Sequence, residues 1–142
     1  MTALANRFFL LCVIAASALS SAFATSNYEY KPGEYVMIVD GLSPDHLYAI
    51  ATHGEGDMGY DQFHVYLMDG RTGKRIGPLE EISETLDTGA DAFYAKWSSD
   101  SSQVSITYRV DRHAAVAVRY RIANRRAYLI SGPSPVEGLP QS

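Results

Sequence analysis

Between Gln103 and Ile122 apolar and polar residues alternate on both sides of a short polar turn, and no other stretch limits the fold so sharply. Alternation with a period of two is the mark of a half-buried strand. Residues 103–111 and 115–122 are expected to form a hairpin turning at Arg112-His113-Ala114. Val104 then faces Ile122, Ile106 faces Tyr120, Tyr108 faces Val118 and Val110 faces Val116. The other face carries Ser105 with Arg121, Thr107 with Arg119 and Arg109 with Ala117. Changing the loop by one residue would set Ile106 against Arg119 and Val104 against Arg121, driving guanidinium groups onto the apolar face. The three-residue loop is expected on that ground.

Most of the remaining chain also reads as strand. Residues 35–39 form a continuous apolar run bounded by Gly33 and Asp40-Gly41, the pattern of a strand covered on both faces. Residues 47–52 and 62–68 follow, separated by 53–61, whose glycines at 54, 56 and 59 predict a mobile loop. Asp69-Gly70 and Thr72-Gly73 supply the positive-φ positions of a tight connection into Arg75-Ile76. After a turn at Asn124-Arg125, residues 126–131 give a last strand, and Gly132-Pro133-Ser134-Pro135 is expected to end regular structure. Leu79, Ile82 and Leu86 carry a weak helical period, the one helix expected, in the neighbourhood of residues 80–88. The expected fold is all-β: a small antiparallel two-sheet domain, blade-like or a sandwich.

The first 24 residues have the layout of a secretory signal peptide, with Arg7, an apolar run over 8–18 and Ala22-Phe23-Ala24 before Thr25. The expected organisation is signal peptide 1–24, flexible lead-in 25–34, one antiparallel domain over 35–132 and a tail over 133–142. The only cysteine, Cys12, falls in the leader behind Leu11, where a lipidation site would have a small residue. The processed chain therefore holds no thiol, which excludes a disulfide framework, a zinc-thiolate site and a cysteine nucleophile. It retains 118 residues, 48 of them apolar, enough for one core. No later run approaches the roughly 18 apolar residues of a membrane span. The expectation is a periplasmic or secreted protein, not inserted in a membrane once the signal is cleaved.

Charge is unevenly divided. Residues 25–91 hold 13 acidic and 4 basic side chains, whereas residues 92–142 hold 3 acidic and 7 basic. Arg109, Arg119 and Arg121 share the polar face of the expected hairpin. They are the candidate binding residues, because guanidinium forks engage carboxylates and phosphates with two hydrogen bonds. The stretch 53–64 gathers His53, Glu55, Asp57, Asp61 and His64, donor types that suit a hard or borderline metal but lack an established ligand spacing, with His53, Asp57, Asp61 and His64 the candidate ligands. No Gly-x-Ser-x-Gly setting or Gly-rich phosphate loop occurs, and no catalytic residue or cofactor is expected.

Two places look alike: Ser43-Pro44-Asp45 before the strand at 47–51, and Trp97-Ser98-Ser99-Asp100-Ser101 before Val104-Ser105-Ile106-Thr107. Both resemble the turn-plus-strand opening of the bacterial TolB-like β-propeller repeat, whose units read Trp-Ser-Pro-Asp-Gly. Residues 65–74 resemble the later strand and hairpin of such a unit. His46 and Ser101 stand where that family prefers glycine. Two copies cannot close a propeller, which needs about four or more blades. The resemblance therefore implies two blade-like sheets packed together, with a scaffolding or binding role and no family catalytic residue to carry over. The expected function is that of an interaction module, an inhibitor or accessory factor of an envelope protein, acting on an acidic protein or cell-envelope partner. Nucleic acid is not an expected partner, since the chain as a whole is acidic and carries an export signal. A monomer or weak dimer is expected. The rival expectation is a small hydrolase or metal-dependent enzyme using the His53 to His64 loop.

Overall fold

The structure, a computed structural model, describes residues 25–137. The expected signal peptide at 1–24 and the last residues of the expected tail lie outside them. Eight strands follow one another: β1 (Val36–Leu42), β2 (Tyr48–Glu55), β3 (Asp61–Asp69), β4 (Arg75–Pro78), β5 (Tyr94–Trp97), β6 (Gln103–Asp111), β7 (Ala114–Ala123) and β8 (Arg126–Val136). The all-β class holds, but the two expected sheets are one curled sheet in the order β4-β3-β2-β1-β5-β6-β7-β8. All neighbours are antiparallel except β1 and β5, which run parallel with Val39 opposite Tyr94. The amide of Val39 donates to Phe93 O at 3.0 Å, joining two four-stranded meanders into one ladder.

The two meanders open with the same turn. In the first, Ser43 Oγ donates to Asp45 Oδ1 at 2.7 Å, Asp45 Oδ1 accepts from Leu47 N at 3.0 Å, and Ser43 Oγ accepts from Tyr48 N at 3.1 Å. Fifty-five residues on, Ser98, Asp100, Ser102 and Gln103 repeat those three bonds at 2.7, 3.1 and 2.9 Å. His46 and Ser101, at the same place in each turn, both have φ 62. That left-handed conformation strains any side chain, which is the physical reason a glycine is favoured there.

One core fills the curl. Ile38, Ile50, Val65 and Leu67 point into it from β1–β3, and Val104, Ile106, Tyr108, Val118 and Tyr120 from β6 and β7. Fully burying each such side chain contributes about 1.5–3 kcal/mol. Phe93 stacks on Tyr108 at 5.8 Å at the centre. The helical period over 79–86 does not become a helix. Leu79 and Ile82, 2% and 1% exposed, drop into the core from a turn in which Ile82 N donates to Leu79 O at 3.1 Å. Among the described residues the helical elements are single 3-10 turns at Asp57–Gly59 and Ala90–Ala92.

The β6–β7 hairpin keeps the expected faces in a register shifted by two. Val104 pairs with Tyr120, Ile106 with Val118, Tyr108 with Val116, Ser105 with Arg119 and Arg109 with Ala115. The loop is Arg112-His113, and a bulge between Arg109 and Asp111 absorbs the difference. Asp111 Oδ1 accepts the His113 amide at 2.8 Å, a local turn that competes with the longer loop. A shift of two leaves every side chain on its face, so face matching alone does not separate the two registers.

Four further expectations are corrected. Residues 25–34 are not a free lead-in. Ser26 N donates to Asp87 Oδ1 at 2.7 Å, Thr88 N donates to Ser26 O at 2.9 Å, and the buried Tyr30 hydroxyl bonds Thr52 Oγ1 at 2.7 Å and Thr88 O. The stretch 53–61 is a tight turn rather than a mobile loop, because β2 runs on to Glu55 and a Cβ on Gly54 would fall 2.0 Å from Gly59 O. β1 is not covered on both faces, since Ile38 is 2% exposed and Met37 is 51% exposed. β8 continues to Val136 through Pro133 and Pro135, which an edge strand tolerates because a missing amide on its open side breaks no ladder bond.

Candidate functional site

The three candidate arginines separate. Arg109, at the bulged end of β6, folds onto Asp87: Nε donates to Oδ2 at 3.1 Å and Nη2 to Oδ1 at 2.9 Å. The two side chains are only 15% and 1% exposed. Arg109 is thus the partner of a buried carboxylate rather than an exposed cation. Arg119 and Arg121 of β7 remain exposed on the outer side of the sheet.

Register extends their face. Lys96 of β5 lies opposite Ser105, Ser105 opposite Arg119, and Arg119 opposite Ser131. Gln103 lies opposite Arg121, and Arg121 opposite Tyr128. The guanidinium of Arg121 stands 4.5 Å over the Tyr128 ring and that of Arg126 5.4 Å over the same ring. A shallow hollow of about 230 Å³ opens beside Lys96, Trp97 and Arg119. Among the described residues no ion pair engages Lys96, Arg119 or Arg121. Clustered cations without an internal counter-charge raise the local positive potential and attract anions. Lys96 went unseen in the sequence because four-residue β5 carries no legible period. The available signal was the repeat itself, since β1 precedes the first Ser-x-Asp turn as β5 precedes the second.

The histidine stretch is built differently from a metal site. His53 and His64 are cross-strand partners on β2 and β3. His53 is 7% exposed, its Nδ1 bonded to Glu34 O and its ring stacked on Tyr35 at 4.8 Å. Its Nε2 lies 3.4 Å from Glu55 Oε1. His64 Nδ1 sits 3.1 Å from Gln62 O, Asp61 lies in β3 beyond that pair, and Asp57 opens the 3-10 turn. Among the described residues no group of three or more His, Cys, Asp or Glu side chains converges on one point. Of these four, His53 is buried and His64 half-buried at the hairpin end, whereas Asp57 and Asp61 are exposed.

A second feature arises where the curled sheet fails to close. β4 and β8 are its two ends, and between them lies a cleft of about 300 Å³. Arg125 holds one end. Its Nη1 donates to Asp69 Oδ2 at 2.9 Å and its amide to the Tyr48 hydroxyl at 3.1 Å. Arg125, together with the Arg71 and Thr72 amides, holds the Asp69 carboxyl far below its usual range. Leu67, Leu79, Glu80, Glu81, Arg125 and Ala127 are among the residues that line the cleft. Tyr120 also lines it. That side chain is 1% exposed, and its hydroxyl has no hydrogen-bond partner among the described residues. Burial, and then the nearby Glu81 carboxylate, push the phenol well above its usual range, although Glu81 does not meet bonding geometry. Burial, with a smaller contribution from Glu84, pushes Tyr108 up to about 12.

Comparison of the chain with protein-family models, curated proteins and solved structures finds no match.

Proposed function

We propose that the protein is an exported binding module whose outer β5–β7 face takes a carboxylate-rich protein partner. The observation that carries the reading is the row of Lys96, Arg119 and Arg121, exposed and without an ion pair among the described residues. The resemblance of the two Ser-x-Asp turns to TolB-like repeats supports it, since that family mostly scaffolds and binds. Arg109 leaves the site originally read from the sequence, and Lys96 enters it.

The test compares the wild-type protein with the double variant Arg119→Ser, Arg121→Ser, using poly-L-glutamate as probe in calorimetry at low and high salt. The variant keeps its fold, because exposed substitutions usually stay within about 0.5 kcal/mol. Its affinity falls, and what remains depends less on salt, as expected when screened cations are removed. Equal binding by both proteins would make the face ordinary surface. Affinity for a purified anionic wall polymer but not for polyglutamate would move the partner from protein to envelope.

A further inference from the structure

β8 is the last strand of the sheet, so one of its sides has no neighbour. In an antiparallel ladder alternate residues turn both amide and carbonyl toward the partner strand, and the residues between them turn both away. Among the described residues no backbone hydrogen bond reaches 126–131 from anywhere but β7. The opposite end of the sheet offers less, because β4 has four residues and closes on Pro78, which carries no amide. In β8 the stretch 126–131 contains no proline, and Arg126, Ala127, Tyr128 and Leu129 pair with β7 in unbroken register.

The side chains along that edge define the neighbour it fits. Leu129 stands opposite the core residue Tyr120, on the inner side of the sheet, yet is 48% exposed, and Ile130 next to it is 40% exposed. Large apolar side chains on an open strand edge favour pairing with another chain. On the outer side Tyr128 stands opposite Arg121, and the guanidiniums of Arg121 and Arg126 lie 4.5 and 5.4 Å over its ring. Arg121 therefore leans from β7 toward the edge, and an added strand would run only about 4.8 Å beyond Tyr128. Neither arginine enters an ion pair among the described residues. A second copy of β8 is a poor neighbour, because it would set these cations against the same cations across the seam. A strand with outward carboxylates and inward apolar side chains satisfies both sides.

We propose that the edge of β8 at 126–131 takes an extended segment of the protein partner as an added strand, one in which acidic residues alternate with apolar ones. This added strand rests on the carboxylate reading of the outer face and gives that reading a mode of binding. Main-chain bonds to β8 hold the segment, its carboxylates meet Arg121 and Arg126, and its apolar side chains cover Leu129.

The test titrates the protein with the end-capped peptide Glu-Val-Glu-Val-Glu-Val, read by calorimetry and by amide hydrogen exchange, with the block isomer Glu-Glu-Glu-Val-Val-Val as control. The alternating peptide binds at least about tenfold more tightly, since only alternation puts charge and apolar surface on opposite sides of a strand. Once bound, it slows exchange at alternate amides within 126–131, which carboxylates gripping arginine side chains alone would not do. Leu129→Ser, a change at an exposed position, keeps the fold. It weakens the alternating peptide by about fivefold and leaves poly-L-glutamate binding unchanged. Equal binding of the two isomers, or binding without slowed exchange at 126–131, overturns the proposal, and if poly-L-glutamate is still bound the outer-face reading survives that failure. Loss of poly-L-glutamate binding while the alternating peptide still protects 126–131 would instead strike the wider face and uphold the edge. Sedimentation showing dimers of the protein alone, with 126–131 protected, overturns the proposal too, by making a second copy the occupant.

Discussion

The β1–β4 and β5–β8 meanders share a connection order and a hydrogen-bonded opening turn, yet they bury opposite sides. Ile50 points into the core, and the residue at its place 55 positions on is Ser105, on the outer face. Conversely Ala49 and Ala51 belong to a small outer cluster with Tyr66, Met68 and Tyr35, whereas Val104 and Ile106 are in the main core. The local wiring of a meander therefore leaves the choice of core face open. Apolar residues placed on one phase of the pleat or the other make that choice, and in β5–β8 they leave Lys96, Arg119 and Arg121 outward.

The comparison breaks most readily where the two units are tied together. Asp87, in the connection from β4 to β5, meets Arg109 of β6 with both partners largely buried. Asp69 of the first unit meets Arg125 of the second with the arginine 59% exposed. Asp87→Ala takes a carboxylate from a largely buried guanidinium and frees the Ser26 amide, so urea denaturation is expected to show a loss of about 3–5 kcal/mol. Asp69→Ala gives a clearly smaller shift in the urea midpoint, since Arg125 retains water. Equal losses would mean that exposure does not set the difference between the two ties.

Acid separates the two opening turns next. The Ser98 hydroxyl, then the Ser102 hydroxyl and amide, hold Asp100 down to about 2, and the Ser43 hydroxyl with the Leu47 amide lowers Asp45. Both carboxylates are depressed on folding, so their stabilisation is complete above the unfolded value of about 4 and fades as pH falls through the folded one. For Asp100 the window runs from about pH 4 down to about 2. Asp100→Asn should flatten the melting temperature over that window and leave it unchanged in slope near pH 6. An unaltered acid slope in that variant would place the acid sensitivity elsewhere.

What the sequence disclosed depended on period and on turn chemistry. Residues 103–111 were legible to the residue because nine positions alternate without a break. β5, with four residues and no full alternation, was silent, and with it went Lys96. Leu79, Ile82 and Leu86 imitated a helix because a turn that drops two side chains into a core spaces them much as a helix does. Arg109 and Arg119 looked equivalent on one face of the hairpin, and only the long-range approach of Asp87 set them apart. The cleft and Tyr120 depend on how far the sheet curls, a property of the packed whole that no local pattern records.

The smallest expected effect is also the sharpest test of the repeat. His46 and Ser101 occupy the same left-handed position, each at φ 62, so relief of backbone strain favours glycine equally at both. Their side chains differ in employment. Ser101 Oγ accepts the Asp45 amide at 3.0 Å, a bond between the two turns, and Ser101 is 5% exposed. His46 is exposed and enters no side-chain hydrogen bond among the described residues. His46→Gly should therefore stabilise by about 0.5–1 kcal/mol, the usual gain when a non-glycine residue leaves the left-handed region and little else is lost. Ser101→Gly gains the same relief but gives up a bond worth about 0.5–1.5 kcal/mol and leaves the Asp45 amide without its acceptor, so its net change is close to zero or unfavourable. Paired urea melts of the two variants decide it. If both substitutions stabilise by the same amount, the bond between the turns contributes nothing and the two units differ only in the faces they bury.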